Sequence, residues 1–404
     1  MRNISQISNE LELCLDNLDA RTLIQNSKLP IVHEINPKNV IELNVSLKKD
    51  VRELNERASD LIRKLQQEAH DLGGRIYGGS SLLEDVSNVS PRRYRTTSLS
   101  DSCAEGFLDI TSQQIVLGVN DEELGFELFN YLKNINPVLL ALSASSPYRV
   151  RENILEEVGA QSRRISQYEK LCRFFPEEMW RNIPEINSLE EYFSHLQNIS
   201  NEVNRRHSAG ELDSNEEALA KFLPFERLEP HQIYWPVRIR PDHGNIESGG
   251  SSVFSLEVRI LEMPTTIEKL QMMNNFVLGI SYYIADYGSD DLFSPFDGSY
   301  EELQIAANEG LQGEIKGVKI LDAVDALTSI AIRGLEERNY HYEANFLGQM
   351  IGKVIQEGND AQLILNSEPQ STKELKDYLV NRLLEGENSL NESSKSEFAN
   401  CERK

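Results

Sequence analysis

The chain has 404 residues, 39% hydrophobic and 26% charged, the balance of a soluble globular protein with room for one large domain or two to three smaller ones. Its formal net charge of −24 argues against a broad nucleic-acid or anionic-membrane surface, which needs positive potential, although a few arginines can still dominate a concave site. The four cysteines (Cys14, Cys103, Cys172, Cys401) form no CxxC pair, and there is neither a basic-then-apolar leader nor an apolar run near the roughly 20 residues a bilayer requires, so disulfide scaffolds, structural zinc and membrane spans are set aside and cytoplasm is the expected location.

Residues 9–15 alternate strictly, with Leu11, Leu13 and Leu15 on one face and Glu10 and Glu12 on the other, which predicts a strand. Residues 40–47 repeat the pattern and place Glu42 and Asn44 together. An amphipathic helix follows from Val51 to Leu72 and stops at Gly73-Gly74. Residues 75–77 are a short strand, and the Ser- and Arg-rich stretch up to 105 reads as a loop or lid. Residues 110–119 read as a strand, and 121–142 as one or two helices interrupted at Asn136-Pro137.

A helix is expected from Ser188, with Glu191 completing a capping box. Residues 204–225 read as a polar excursion. Two further alternating strands, 232–240 and 253–261, flank a Gly- and Asp-rich loop. Thr265 and Glu268 are read as a capping box ahead of an apolar helix over about 266–286. The remainder is mainly helical, with Ser371 and Glu374 as another cap. The expected organisation is a single domain over residues 1–390 and a disordered tail over 391–404. Neither GxGxxG nor GxxxxGK[ST] is present, and the strands and helices lack a βαβ rhythm. The expected class is α+β, with a curved antiparallel sheet carrying the site and helices behind it.

Carboxylates and guanidiniums in the middle of half-apolar strands suggest a sheet that holds ions or charged substrates. If the strands of Glu10, Glu12, Glu42 and Asn44 pair, several oxygen ligands converge, which suits Mg²⁺. Arg238, Arg240 and Arg259 can hold carboxylate or phosphate oxygens through two parallel bonds. Together these residues suit an anionic substrate and a Mg-nucleotide such as ATP. The plainer reading, solvated strand faces with Glu–Arg cross-strand pairs, stays open for each residue alone. Arg92, Arg93 and Arg95 are either a solvated loop or a lid that contacts phosphate. His33 is read as a loop or packing residue, and His243 is the only histidine in its stretch.

These segments, in this order, resemble the bacterial and archaeal glutamate–cysteine ligase family of carboxylate–amine ligases. Residues 9–15 resemble the first Glu-x-Glu strand and 40–44 the second acidic strand. Arg75-Ile-Tyr-Gly-Gly-Ser80 and Pro91-Arg-Arg-Tyr94 resemble the strand and Arg-Tyr segment. Leu139-Leu-Ala-Leu-Ser-Ala-Ser-Ser-Pro147 is similar to an apolar helix ending in Ser-Ala-Asn-Ser-Pro. Residues 235–241 and 255–259 resemble the late strand pair.

The resemblance implies a glutamine-synthetase-like fold and an ATP-dependent, cytoplasmic ligase of glutathione biosynthesis. It would join the side-chain carboxylate of glutamate to an amine, cysteine first, through an acyl phosphate. It implies Glu10, Glu12, Glu42 and Glu257 as Mg²⁺ ligands. Arg238, Arg240 and Arg259 would contact phosphate or glutamate, and Arg92, Arg95 and Arg240 the nucleotide. Relatives carry Cys-Gly-x-His-Val-His-Val-Gly where this chain has Thr111-Ser-Gln-Gln-Ile-Val-Leu-Gly118, so Gln114 stands at a histidine position, where it can hydrogen-bond a substrate. The expected partners are small molecules, with no nucleic acid and no membrane, and a homo-oligomer is compatible with this reading. The alternatives are a binding protein that keeps the fold without turnover and another ATP-dependent phosphoryl transfer.

Overall fold

The computed structural model describes residues 3–33, 39–80, 83, 111–166, 181, 183–211, 235–240 and 254–385. The first alternating segment is a long strand, β1 (Ile4–Asp16), with Leu11, Leu13 and Leu15 buried on one face. After a short helix, α1 (Ala20–Asn26), come β2 (Ile31–His33) and β3 (Val40–Lys48). Helix α2 (Val51–Asp71) starts at Asp50, whose side chain accepts from Glu53 N, and Gly73 beyond its end takes a left-handed φ of +80°. The short β4 (Arg75–Tyr77) and then β5 (Gln113–Val119) follow. The expected break at Asn136-Pro137 separates α3 (Glu122–Asn134) from α4 (Asn136–Ser143), with proline in the first turn where its missing N–H costs nothing.

The second half contains a hairpin, β6 (Tyr148–Arg151) and β7 (Ile154–Glu157), then α5 (Leu189–Ser208), β8 (Val237–Arg240) and β9 (Phe254–Val258). The helical part comprises α6 (Ile267–Tyr287), α7 (Tyr300–Glu309), the short hairpin β10 (Glu314–Ile315) and β11 (Val318–Lys319), α8 (Ile320–Glu337), α9 (His341–Glu357), α10 (Asp360–Asn366) and α11 (Thr372–Leu383).

Seven strands form one sheet in the order β2-β3-β1-β5-β9-β8, with β4 paired to the end of β1, and every pairing is antiparallel. Helices α2, α3 and α6 pack on its apolar face. This is the expected α+β class with a sheet backed by helices. On the opposite face, Cys14, Val40 and Tyr77 join Tyr148 and Leu375 in a second, smaller apolar cluster, which closes one end of that face. Among the described residues, no helix is long and apolar enough to cross a membrane.

Several boundaries differ from the sequence reading, each for a physical reason. Helix α5 runs to Ser208, so the first residues of the expected excursion at 204–225 are helical, while 212–225 lie outside the described residues, as does the 391–404 tail. The cap of α6 is Thr266, accepting from Lys269 N, and not Thr265. Thr265 N instead donates to the buried Asp360 carboxylate, which also takes Lys269 Nζ at 2.7 Å, so the tertiary ion pair draws the chain one residue further before the helix begins. Strand β9 stops at Val258, because Arg259 N turns to Pro236 O and Ser112 bridges to Glu262 beyond it.

Helix α6 is buried nearly all round and crosses α8 at two glycines. A Cβ on Gly334 would lie 2.0 Å from Gly279 O, so the backbones touch where no side chain fits. Gly334→Ala should therefore force the helices apart and destabilise the fold by about 1–3 kcal/mol. Chemical unfolding would read this as a lower midpoint with an unchanged slope, whereas an unchanged midpoint would show that the crossing yields freely.

Candidate active site

The face of the sheet turned away from α2, α3 and α6 carries the charges, and strand register sorts them by sign. Asn44 on β3, Glu10 on β1 and Gln114 on β5 form one cross-strand row. Glu42 and Glu12 sit opposite each other in the next row, and Glu12 N donates to Ser112 O. On the other side of β5, Val116, Glu257 and Arg238 form a third row across β5, β9 and β8. The face is acidic toward β3 and β1, neutral along β5 and rich in guanidinium along β9 and β8.

On the acidic side, Ser112 donates to Glu12 Oε2 twice, from N at 2.6 Å and from Oγ at 2.8 Å. Asn44 Nδ2 donates to Glu42 Oε1 at 2.8 Å. Burial, with Glu257 and Glu42 close by, pushes Glu10 up to about 7 against the pull of Arg240 and Arg238. Burial also raises Glu12, opposed by Arg164 and the Ser112 bonds. Both carboxyls are thus raised chiefly by burial, with Glu42 adding to the effect.

The basic side is different. Glu257 has no exposed surface and is gripped by Arg238 (2.7 Å), Arg240 (3.1 Å) and Arg259 (3.1 Å). Burial alone would raise its pKa, but Arg259, Arg238 and Arg240 overcome it and hold the carboxyl below its ordinary value. With its amide nitrogen turned toward β9, Gln114 donates to Glu257 Oε1 at 2.6 Å and to Glu10 Oε2 at 3.3 Å, linking the two halves. Arg240 also reaches Glu10 at 3.4 Å, while its buried Nε has no hydrogen-bond partner among the described residues.

The structure thus gathers Glu10, Glu12, Glu42, Gln114, Arg238, Arg240, Glu257 and Arg259 on one face. Glu257 lies among the arginines, and Arg240 and Gln114 link it to Glu10. Among the described residues, no three His, Cys, Asp or Glu side chains close on one point as a ready metal cage. Arg92, Arg93, Arg95 and His243 lie outside the described residues, and His33 ends β2 at the sheet edge.

Ser112, Arg164 and Glu262 were not singled out from the sequence. Glu262 is fully buried and accepts from Ser145 N (2.5 Å), Ser146 Oγ (2.5 Å) and Ser162 Oγ (2.7 Å). The Ser-Ala-Ser-Ser-Pro end of α4 is therefore a mount for a carboxylate. A lone Glu inside the apolar run from Ile260 to Pro264 was the available signal.

The sequence profile of glutamate–cysteine ligase family 2 matches residues 7–381. The chain belongs to this family. As a member of it, the chain is an ATP-dependent carboxylate–amine ligase. A solved glutamate–cysteine ligase from Francisella tularensis in complex with AMP is similar in fold, with 14% identity and a TM-score of 0.61 over 94% of this chain and 88% of that one. A bifunctional glutathione synthetase from Pasteurella multocida aligns at 13% identity and a TM-score of 0.50 over 93% of this chain, which spans only 52% of that protein. No curated protein matches the chain.

For this ligase family member, the two kinds of glutamate should respond unequally to change. Glu257→Gln removes the common partner of buried guanidiniums and should cost about 3–5 kcal/mol. Glu12→Gln should leave stability nearly unchanged, since it removes charge from an over-acidic cluster. Urea unfolding of both variants separates the two roles, and equal stabilities would refute the division. Glu10 gives a pH signature in the metal-free protein. Its folded pKa of about 7 lies above the ordinary 4.5, so its contribution is full below 4.5 and is lost as pH rises through about 7. Glu10→Gln should flatten that decline. The contribution of Glu257, with its lowered pKa, runs the other way and is lost as pH falls below 4.5.

Proposed function

We propose that the chain activates the side-chain carboxylate of glutamate with ATP and transfers the resulting acyl group to an amine, with cysteine, as the family's name indicates, the first amine to try. The observation that carries this reading is the division of one sheet face into an acidic half and a guanidinium half that meet at Gln114. A ligase that phosphorylates a carboxylate must bind a nucleotide with its metal beside an anionic acceptor, and the two halves suit the two tasks.

The fit to Mg²⁺ rests on the donor set. Glu10, Glu12 and Glu42 supply oxygen only, and burial raises Glu10 and Glu12, a cost that a bound cation would offset. They form part of a shell, to be completed by phosphate oxygens and water as Mg²⁺ prefers. When bound there, Mg²⁺ supplies positive charge to the phosphate oxygens. Glu257 belongs in this reading with the arginines, as the counter-ion that aligns them, and not with the metal ligands.

Arg238, Arg240 and Arg259 would bind substrate carboxylate and the transferring phosphate, and the buried Arg240 Nε is a donor that an anionic oxygen would satisfy. A glutamate carboxylate oxygen attacks the γ-phosphorus, and ADP leaves. The amine then attacks the acyl carbon, phosphate departs, and the amine loses a proton. Gln114 can orient the substrate from the neutral strand between. Arg92 and Arg95 remain, with Arg240, the proposed nucleotide contacts. The location proposed is the cytoplasm.

A second reading has its own observation. The β5 face presents Gln114 and Val116 at positions where relatives carry histidines, so no titratable side chain lines the central strand there. This favours a protein that binds Mg-ATP or an amino acid without turnover.

Protein mixed with Mg-ATP, glutamate and a panel of amines should release ADP only when both glutamate and an amine are present, and mass spectrometry should find the γ-amide. A phosphorylated small molecule would instead indicate simple phosphoryl transfer, and calorimetric binding of Mg-ATP without ADP release would favour the non-catalytic reading. Arg240→Met should lower turnover about 10²-fold or more, the usual cost of one charge-stabilising donor. Wild-type turnover in that variant would remove Arg240 from the site.

A further inference from the structure

Behind the acidic end of the site lies a built arrangement that the mechanism above does not use. Glu262, fully buried, is ringed by Ser145, Ser146 and Ser162. Those serines also hold the chain that follows. Ser146 Oγ accepts from Arg163 N at 2.8 Å, and Ser162 Oγ accepts from Arg164 N at 3.1 Å. Arg164 Nη2 donates to Arg259 O at 2.6 Å, which ties its guanidinium to the end of β9. Its charge acts on both Glu12 and Glu262. Ser112 closes the circuit, because it bridges to Glu262 through the backbone and donates to Glu12 through its side chain.

We propose that Arg164 is a fourth arginine of the site, which binds a phosphate oxygen of the nucleotide at the Glu12 end, and that Glu262 is a positioning residue that holds it there. The inference rests on the ligase reading. Its physical basis is geometric. Arg164 is tied to Arg259 O just beyond β9 and its charge reaches Glu12, on a backbone fixed at two successive residues, and guanidinium is the side chain suited to phosphate oxygens. A buried carboxylate surrounded by hydroxyl donors is costly to build, and its serine shell connects directly to the backbone that presents Arg164.

The test is calorimetric binding of Mg-ATP to the full chain, with no turnover required. Arg164→Met should weaken binding about tenfold or more, the scale of one charge-assisted hydrogen bond. Glu262→Gln keeps the size and much of the bonding of Glu262, and should weaken binding in the same direction. The double variant should bind no worse than Arg164→Met alone, because the two act through one contact. Should Glu262→Gln fail to fold, Ser162→Ala, which removes only the hydroxyl that fixes Arg164 N, takes its place in the cycle. Wild-type affinity in Arg164→Met overturns the proposal. Strictly additive losses overturn the positioning role and leave Glu262 a fold residue. If the unaltered protein binds no Mg-ATP, the ligase reading itself fails, and this inference with it.

Discussion

The interaction on which the site depends is the grip of Arg238, Arg240 and Arg259 on Glu257. Three guanidiniums crowded on adjacent strands would repel one another, and burial would add a desolvation cost to each. A single carboxylate at the centre, without exposed surface, makes the cluster tolerable and leaves it net positive. That remaining charge is what an anionic substrate would meet. The same carboxylate accepts from Gln114, which also reaches Glu10. Glu257 therefore sets the geometry of the basic half and, through one amide, its spacing from the acidic half.

The register of that face is tightened by the buried amides behind it. Asn9 and Gln113 interrupt the apolar face of β1 and β5, each one residue from a site residue, Glu10 and Gln114. Asn9 Nδ2 donates to Asn274 Oδ1 at 3.1 Å, and Gln113 Nε2 donates to the same oxygen at 2.8 Å. Asn274 passes the chain to Asn55 on α2 at 2.9 Å, and Asn55 to Asn275 at 2.7 Å. An apolar contact would tolerate a sliding strand. A buried amide that loses its partner does not, and a one-residue slip would turn Glu10 into the core. The helices thus hold the strands to a register that the leucines alone specify less tightly.

Much of this was legible in the sequence because alternation is a local signal. Glu10, Glu12, Glu42, Arg238, Arg240 and Glu257 were placed on one side of their strands by period alone, and they share one face. Strand order was not legible, since which strands lie side by side depends on long-range pairing. The companionship of Glu257 with arginine instead of with Glu10 and Glu12 follows from β5 lying between β1 and β9. The β6–β7 hairpin escaped for a different reason. Its turn places Glu152 and Asn153 at φ of +51° and +63°, where Asn-Gly would be the recognisable pair, and Glu gives no such signal. Arg164 and Glu262 were missed because neither lies on a periodic face. Their roles exist only once the end of α4, the segment before Arg164 and the end of β9 meet.

The charge of the whole molecule gives this arrangement its meaning. At a net −24, the surface field opposes the approach of ATP and of glutamate, which are anions. Salt screens exposed charges beyond about 8 Å, while buried or partly buried charges are screened much less. A protein of this composition cannot gather anionic substrates by long-range attraction and must bind them by contact. Lysine would serve poorly there, as a strongly hydrated point charge on a flexible stem. Arginine, more weakly hydrated and with a planar fork of donors, can remain charged in a half-buried cluster around Glu257 and still offer a direction to an incoming oxygen. The acidic balance of the chain and the arginine-lined sheet are compatible, since under the proposed function selectivity for anions would reside in the short-range geometry of β8 and β9.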